Sequence, residues 1–194
     1  MLRGLGRWLR AAGYDTLIAR PGTADLDLLA FARAERRILL TCDRELARLA
    51  GDDARVVALA TEALDPAARE LGARLGIDWL AAPFSRCLLD NAALRPASPL
   101  QVASVPESAR EREGPLLACP ECGRVYWPGS HVRRMRARLE CWQLSTARLR
   151  QQLARDHGAQ TLDLEQLADR ERDQAADRDQ EPAAGAGGHG PEHP

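Results

Sequence analysis

Apolar positions recur at helical spacing at the very start of the chain. Leu2, Leu5, Leu9 and Ala12 share one face of a predicted amphipathic helix over residues 1–13, Arg3, Arg7 and Arg10 take another, and Gly13 stands where a C-cap belongs. The pattern then shortens. Thr16-Leu17-Ile18 reads as a strand, Arg20-Pro21-Gly22 as a turn, and a helix follows to about Arg36, opened by Asp25 or Thr23 as cap, with Leu28, Leu29 and Ala32 facing inward. Arg37-Ile38-Leu39-Leu40-Thr41 is a short buried-type strand ending at Cys42-Asp43, and Arg44–Ala50 a helix. Arg55–Leu59 is the next strand, and Asp65-Pro66 opens a helix to Leu75, with the aspartate as cap and proline at the first helical position. Strands alternating with helices at this spacing predict an α/β domain with a small parallel sheet flanked by helices, over residues 1–80.

From Pro83 the texture changes. Seven prolines between Pro83 and Pro128 interrupt the chain, and the cysteines gather there, so residues 83–136 read as a loop-rich module that needs a staple such as a metal ion. Residues 137–180 read as a helical extension and the Gly/Pro/Ala-rich residues 181–194 as a disordered tail.

Composition narrows the chemistry. All 27 basic residues among the 194 are arginine, which excludes Schiff-base, P-loop and kinase-type lysine chemistry. Aromatics are only 4 %, so leucine, alanine and valine must carry the packing. No apolar run is long enough to span a membrane, and MLRGLGRWLR lacks the uninterrupted core of a signal peptide, so a cytoplasmic location is expected. The near-neutral total hides an asymmetry: residues 124–150 hold seven arginines and one acid, whereas residues 151–194 hold four arginines and ten acids. The first of these segments is either a solvated helix face or a phosphate-binding patch, with the acidic tail as its competitor.

Five cysteines, an odd number, argue against a disulfide framework. Cys119-Pro-Glu-Cys122-Gly123 has the spacing of a zinc knuckle, and its place after a proline-rich stretch disfavours the redox reading of the same spacing. Upstream, Cys87-Leu88-Leu89-Asp90 repeats that spacing with aspartate where a fourth cysteine would stand. Asp90 is thus one candidate for the fourth zinc ligand, with His131 and Cys141 as the others. Metal-assisted phosphodiester cleavage needs carboxylates at one end of the strands, and in an open parallel sheet that is the carboxyl edge. Asp43, just past the strand RILLT, and Asp25, at a helix start, both emerge there as candidate Mg²⁺ or Mn²⁺ ligands, and both are also candidate helix caps. Asp27 and Glu45 are weaker candidates, and Asp52-Asp53 reads as a turn.

The stretches MLRGLGRWLRAAGYDTL, RILLTCDREL, FSRC and CPECGRVYWPGSHVRRM, in this order from Met1 to about Met135, resemble the PIN-like RNase domain named after the Mut-seven C-terminal region. The resemblance implies a PIN-like nuclease core followed by a zinc ribbon, and metal-dependent hydrolysis of RNA. By position, Asp25 and Asp43 match acids of the nuclease site, and Cys87, Cys119 and Cys122 match zinc ligands. Arg124, Arg133, Arg134, Arg136 and His131 would then hold RNA phosphates, with Tyr126 or Trp127 stacking on a base. The family also implies a strand ending in aspartate just ahead of the residue matching Met1, so the expectation is either a start assigned too late or loss of the first catalytic carboxylate, the former being favoured. Pairing into a homodimer is a further implication. The competing expectation is a non-catalytic RNA- or protein-binding module on a degenerate PIN-like scaffold.

Overall fold

A computed structural model describes residues 2–53, 55–111 and 113–157, the last five by their backbone alone. The chain opens with α1 (Arg3–Ala12), α2 (Asp25–Ala34), β1 (Leu39–Thr41), α3 (Arg44–Ala50), β2 (Val56–Ala58) and α4 (Leu64–Leu75). It continues through β3 (Arg95–Pro96), α5 (Pro99–Ala103), α6 (Glu107–Arg110), β4 (Leu117–Ala118) and β5 (Val125–Tyr126) to the long α7 (Ser130–His157). β1 and β2 pair in parallel, with Leu39 opposite Val56 and Thr41 opposite Ala58, while β3, β4 and β5 form an antiparallel sheet. The result is a mixed α/β protein whose small parallel sheet is flanked by helices. The tail assigned to residues 181–194, and the helical extension beyond 157, lie outside the described residues. No helix among the described residues is long and apolar enough to cross a membrane.

α1 buries Leu5, Leu9 and Ala12 as its spacing predicts, and Gly13 ends it at φ 102°, a left-handed conformation in which its N–H reaches the Arg10 carbonyl. A side chain at Gly13 would meet the Ala82 carbonyl, because residues 82–84 return here to bond the last turn: Ala82 and Phe84 donate to the carbonyls of Ala12 and Ala11. The expected division of α1 into an apolar and an arginine face is corrected at one position. Arg3 and Arg7 are exposed, but Arg10 is only 5 % exposed.

Three further local expectations are corrected. Thr16–Ile18 forms no strand. Its backbone groups are engaged elsewhere, since Thr16 N–H donates to the Asn91 side chain and Thr16 O accepts from Arg10. Neither Thr23 nor Asp25 caps α2; the cap position is Ala24, and the Thr23 hydroxyl turns back to the Arg20 carbonyl. Asp25 and Asp27 still favour this helix, because their charges lie at the positive end of its dipole. The sheet and α2 meet α3 through a core of Leu29, Leu46 and Ala50, with Leu28, Leu39 and Val56 packed against it.

Asp65 is not the cap of α4 either. It lies within the first turn, behind the cap residue Ala63, and its carboxylate is recruited by α7. Arg138 donates to it from Nε and Nη2, and Trp142 Nε1 donates at 2.8 Å. Met135, Leu139, Trp142 and Thr146 give α7 a buried stripe at helical spacing, which lays Trp142 edge-on against Trp8 and Trp79 with ring centres 4.9 and 5.0 Å apart. Arg138 completes the cluster, its guanidinium 5.5 and 5.4 Å from the ring centres of Trp8 and Trp142.

Partial burial raises the Asp65 carboxyl, but the hydrogen bonds from Arg138 and Trp142 outweigh it and hold the group below the ordinary carboxylate range. A carboxyl depressed in the folded state stabilises the fold above its unfolded value and loses that contribution as pH falls through the folded value. Asp65→Asn should therefore narrow the stability difference between pH 7 and pH 3. Urea titrations of both proteins at the two pH values check this, and an unchanged difference would contradict it.

Candidate functional site

The candidate residues fall in two regions of the fold. The first lies beyond the carboxyl end of β1. Thr41 ends the strand, and its buried hydroxyl accepts from Asp43 N–H, which turns the chain sharply into α3. Asp43 caps that helix through one oxygen only: Oδ1 accepts from Glu45 N–H at 2.8 Å and Leu46 N–H at 3.2 Å. Oδ2 takes no part in the cap, and the residue is exposed. Asp25 is partly buried in the first turn of α2. Glu45 pairs with Arg48 at 3.0 Å on the surface, and Asp53 is held by Arg33 at 3.0 Å, which keeps its carboxyl below the ordinary range. Cys42, next to Asp43, points its thiol at the Thr61 carbonyl, and burial pushes that thiol up.

The second cluster joins two knuckles. Between β4 and β5 the chain turns through Cys119–Gly123, where Gly123 adopts φ 69° and donates to the Cys119 carbonyl while Cys119 N–H reaches Arg124 O. The other knuckle is Cys87–Asn91, closed by Asn91 N–H to Cys87 O and Cys87 N–H to Ala92 O, with Asn91 itself left-handed at φ 68°. Together they bring Cys87, Asp90, Cys119 and Cys122 close enough for one ion, all four donor atoms lying within 4.8 Å of one another. Among the described residues this is the one group of three or more such side chains. Neither Cys141 nor His131 belongs to it, and both are exposed on α7.

Three of the six donor pairs in this cluster have the spacing of a tetrahedral ion. Zinc–sulfur bonds of about 2.3 Å put two sulfurs about 3.8 Å apart, and a carboxylate oxygen about 3.6 Å from each sulfur. Cys87 Sγ lies 3.9 Å from Cys122 Sγ, and Asp90 Oδ2 lies 3.5 Å from both Cys87 Sγ and Cys119 Sγ. Protons also hold these groups together. The hydrogen bond between them keeps Asp90 below the ordinary carboxylate range and pushes the Cys122 thiol up to about 12. At Cys87 burial works upward, but the Tyr126 hydroxyl and nearby backbone N–H groups outweigh it and lower the thiol. Converging sulfur and carboxylate donors that must share protons form a set that a divalent cation can hold instead.

The basic residues are placed plainly. Arg124 follows the second knuckle, His131, Arg133, Arg134 and Arg136 lie in the first turns of α7, and all five are exposed. Arg133 donates weakly to the Pro128 carbonyl, whereas no described carboxylate pairs with Arg124, Arg134 or Arg136. Tyr126 is engaged at the Cys87 knuckle, its hydroxyl 3.1 Å from Cys87 Sγ and accepting from Leu88 N–H. Sequence reasoning missed this role, and those of Arg10 and Asn91, because each partner lies far along the chain.

No curated protein and no solved structure matches this chain. The family model described as Mut7-C RNAse domain matches residues 1–139, which takes in β1, Asp43, both knuckles and the arginine-rich start of α7. The chain belongs to the Mut7-C RNAse domain family.

Proposed function

We propose that this protein is a metal-dependent ribonuclease. The RNAse-domain match over residues 1–139 carries this reading, and the placement of Asp43 at the carboxyl edge of β1 supports it. Asp43 would hold Mg²⁺ or Mn²⁺ through Oδ2 while Oδ1 keeps its cap, and Asp25 would add a second carboxylate. Such an ion supplies a lowered pKa for attacking water and charge neutralisation at the scissile phosphate. Arg124, Arg133, Arg134, Arg136 and His131 would grip the RNA backbone, since the exposed guanidinium groups are available for bidentate contact with phosphate. A structural Zn²⁺ would occupy Cys87, Asp90, Cys119 and Cys122. We place the nuclease core in residues 1–80 and the ribbon in 83–136, in a cytoplasmic protein able to pair into a homodimer.

A second reading has one observation in its favour. Among the described residues neither Asp25 nor Asp43 belongs to a group of three or more acidic, histidine or cysteine side chains able to share an ion. With too few carboxylates the scaffold would bind RNA or a protein without cutting RNA. Incubating labelled single-stranded RNA with the zinc-loaded chain, with and without Mn²⁺, separates the two. Mn²⁺-dependent cleavage sustains the ribonuclease. Salt-sensitive RNA binding without cleavage favours the binding module, and no RNA affinity at all favours a protein partner.

A further inference from the structure

Arg10 is a charged side chain almost entirely withdrawn from water, at 5 % exposure, in the last turn of α1. Burying a guanidinium is costly unless acceptors replace the lost water. Its acceptors are three backbone carbonyls: Nε donates to Thr16 O at 2.8 Å, and Nη1 to Leu88 O and Leu89 O. The last two are the residues between Cys87 and Asp90. We infer that Arg10 is a positioning residue for the metal cluster, holding the Cys87–Asp90 loop in its ligating shape and passing the order imposed by the ion to the start of the nuclease core. This inference rests on the reading of the cluster as a zinc site.

Peptide geometry carries it. In a trans peptide the carbonyl and the N–H point to opposite sides. The peptide joining Leu89 to Asp90 gives its oxygen to Arg10 and its N–H to Cys87 Sγ at 3.4 Å. Fixing the oxygen therefore aims the amide at the sulfur, as metal-bound thiolates require. The loop is also tied to the turn after α1. Asn91 accepts from Thr16 N–H and donates to Asp15, while Arg86 bridges the carbonyls of Gly13 and Asn91. Charge works in the same direction. Three thiolates and one carboxylate around a divalent ion leave a net charge of about -2, and a desolvated cation beside them offsets part of it. Coupling between two sites is reciprocal, so an ion that orders this loop also orders residues 10–16, and Arg10 tightens the ion by the same factor.

The test needs neither RNA nor nuclease activity. Hydrogen–deuterium exchange is followed on the full chain, zinc-loaded and chelator-stripped, and zinc affinity is measured by competition with a chromophoric chelator for wild type, Arg10→Gln and Arg10→Lys. Zinc is expected to slow exchange at residues 11–16 of the wild type as well as in both knuckles. Arg10→Gln should weaken zinc about 10–100-fold, the range for residues that orient metal ligands, and should confine the slowing to the knuckles. Arg10→Lys should restore part of the affinity, because it keeps the charge but not the two-nitrogen grip. An unchanged zinc affinity in Arg10→Gln, with stripped and loaded forms destabilised alike, would show a purely structural role and overturn the inference. Should Arg10→Gln not fold, the wild-type exchange decides: slowing at residues 11–16 sustains the inference and its absence overturns it. A wild type that takes up no zinc removes both the zinc reading and the inference, and leaves the ribonuclease reading to its own assay.

Discussion

On the zinc reading, Cys119→Ser is expected to abolish tight zinc binding and to unfold the ribbon, costing about 4–5 kcal/mol or more, a size reached by a short list of mechanisms of which loss of a metal is one. The strands that the ion would staple are weak by themselves. β3, β4 and β5 are two residues each, too short for a stable sheet without further support. Cys119 itself is 1 % exposed, so serine would leave a buried hydroxyl where a thiolate should neutralise the ion. Asp90→Asn should cost far less, because that ligand is exposed and water can take its place. Zinc content of the purified proteins and thermal unfolding with and without chelator check both changes. Wild type stripped of zinc should melt like Cys119→Ser. A variant that retains one tightly bound zinc and melts with the wild type would rule out the stapling role.

The second large effect is expected at Asp43. Asparagine caps a helix about as well as aspartate, so Asp43→Asn should leave the start of α3 and the melting temperature nearly unchanged. It removes the negative charge from the oxygen free to hold a divalent ion. Mn²⁺-dependent RNA cleavage should therefore fall by a factor of about 100 or more, the order expected when a preorganised electrostatic contact to the transition state is lost. Steady-state cleavage rates beside urea denaturation separate site from fold. Equal loss in Asp43→Ala and Asp43→Asn, with stability lowered only in the alanine variant, is the pattern expected of a metal ligand that also caps. Full cleavage by Asp43→Asn would take Asp43 out of the site.

Asp43 also shows how far a linear reading reaches. Both of its readings, cap and edge carboxylate, were available from RILLTCDREL, since an aspartate between an apolar strand and a helix has few other positions to occupy. Two of the caps inferred the same way, at Asp25 and Asp65, were misplaced by one and two residues, to Ala24 and Ala63. At Asp65 the reason is tertiary: α7 returns to α4 and recruits the carboxylate with Arg138 and Trp142, partners more than seventy residues away. Thr16–Ile18 has the composition of a strand, but no ladder forms there, and its polar groups pair with Asn91 and Arg10 instead.

What the sequence determined by itself is what short-range physics controls. Helical spacing placed α1 and α3, the apolar runs placed β1 and β2, and two Cys-x₂ spacings marked the knuckles. These depend on residues a few positions apart, whose relative geometry the backbone sets almost alone. The tertiary structure decided what depends on closing long loops. It brought Asp90, rather than Cys141 or His131, to the three cysteines, it turned Arg10 from a predicted surface residue into the buried link between α1 and the Cys87–Asp90 loop, and it seated Trp142 between Trp8 and Trp79. Such partners are chosen by which surfaces the packed helices leave facing one another, a property of the whole chain that no local pattern carries.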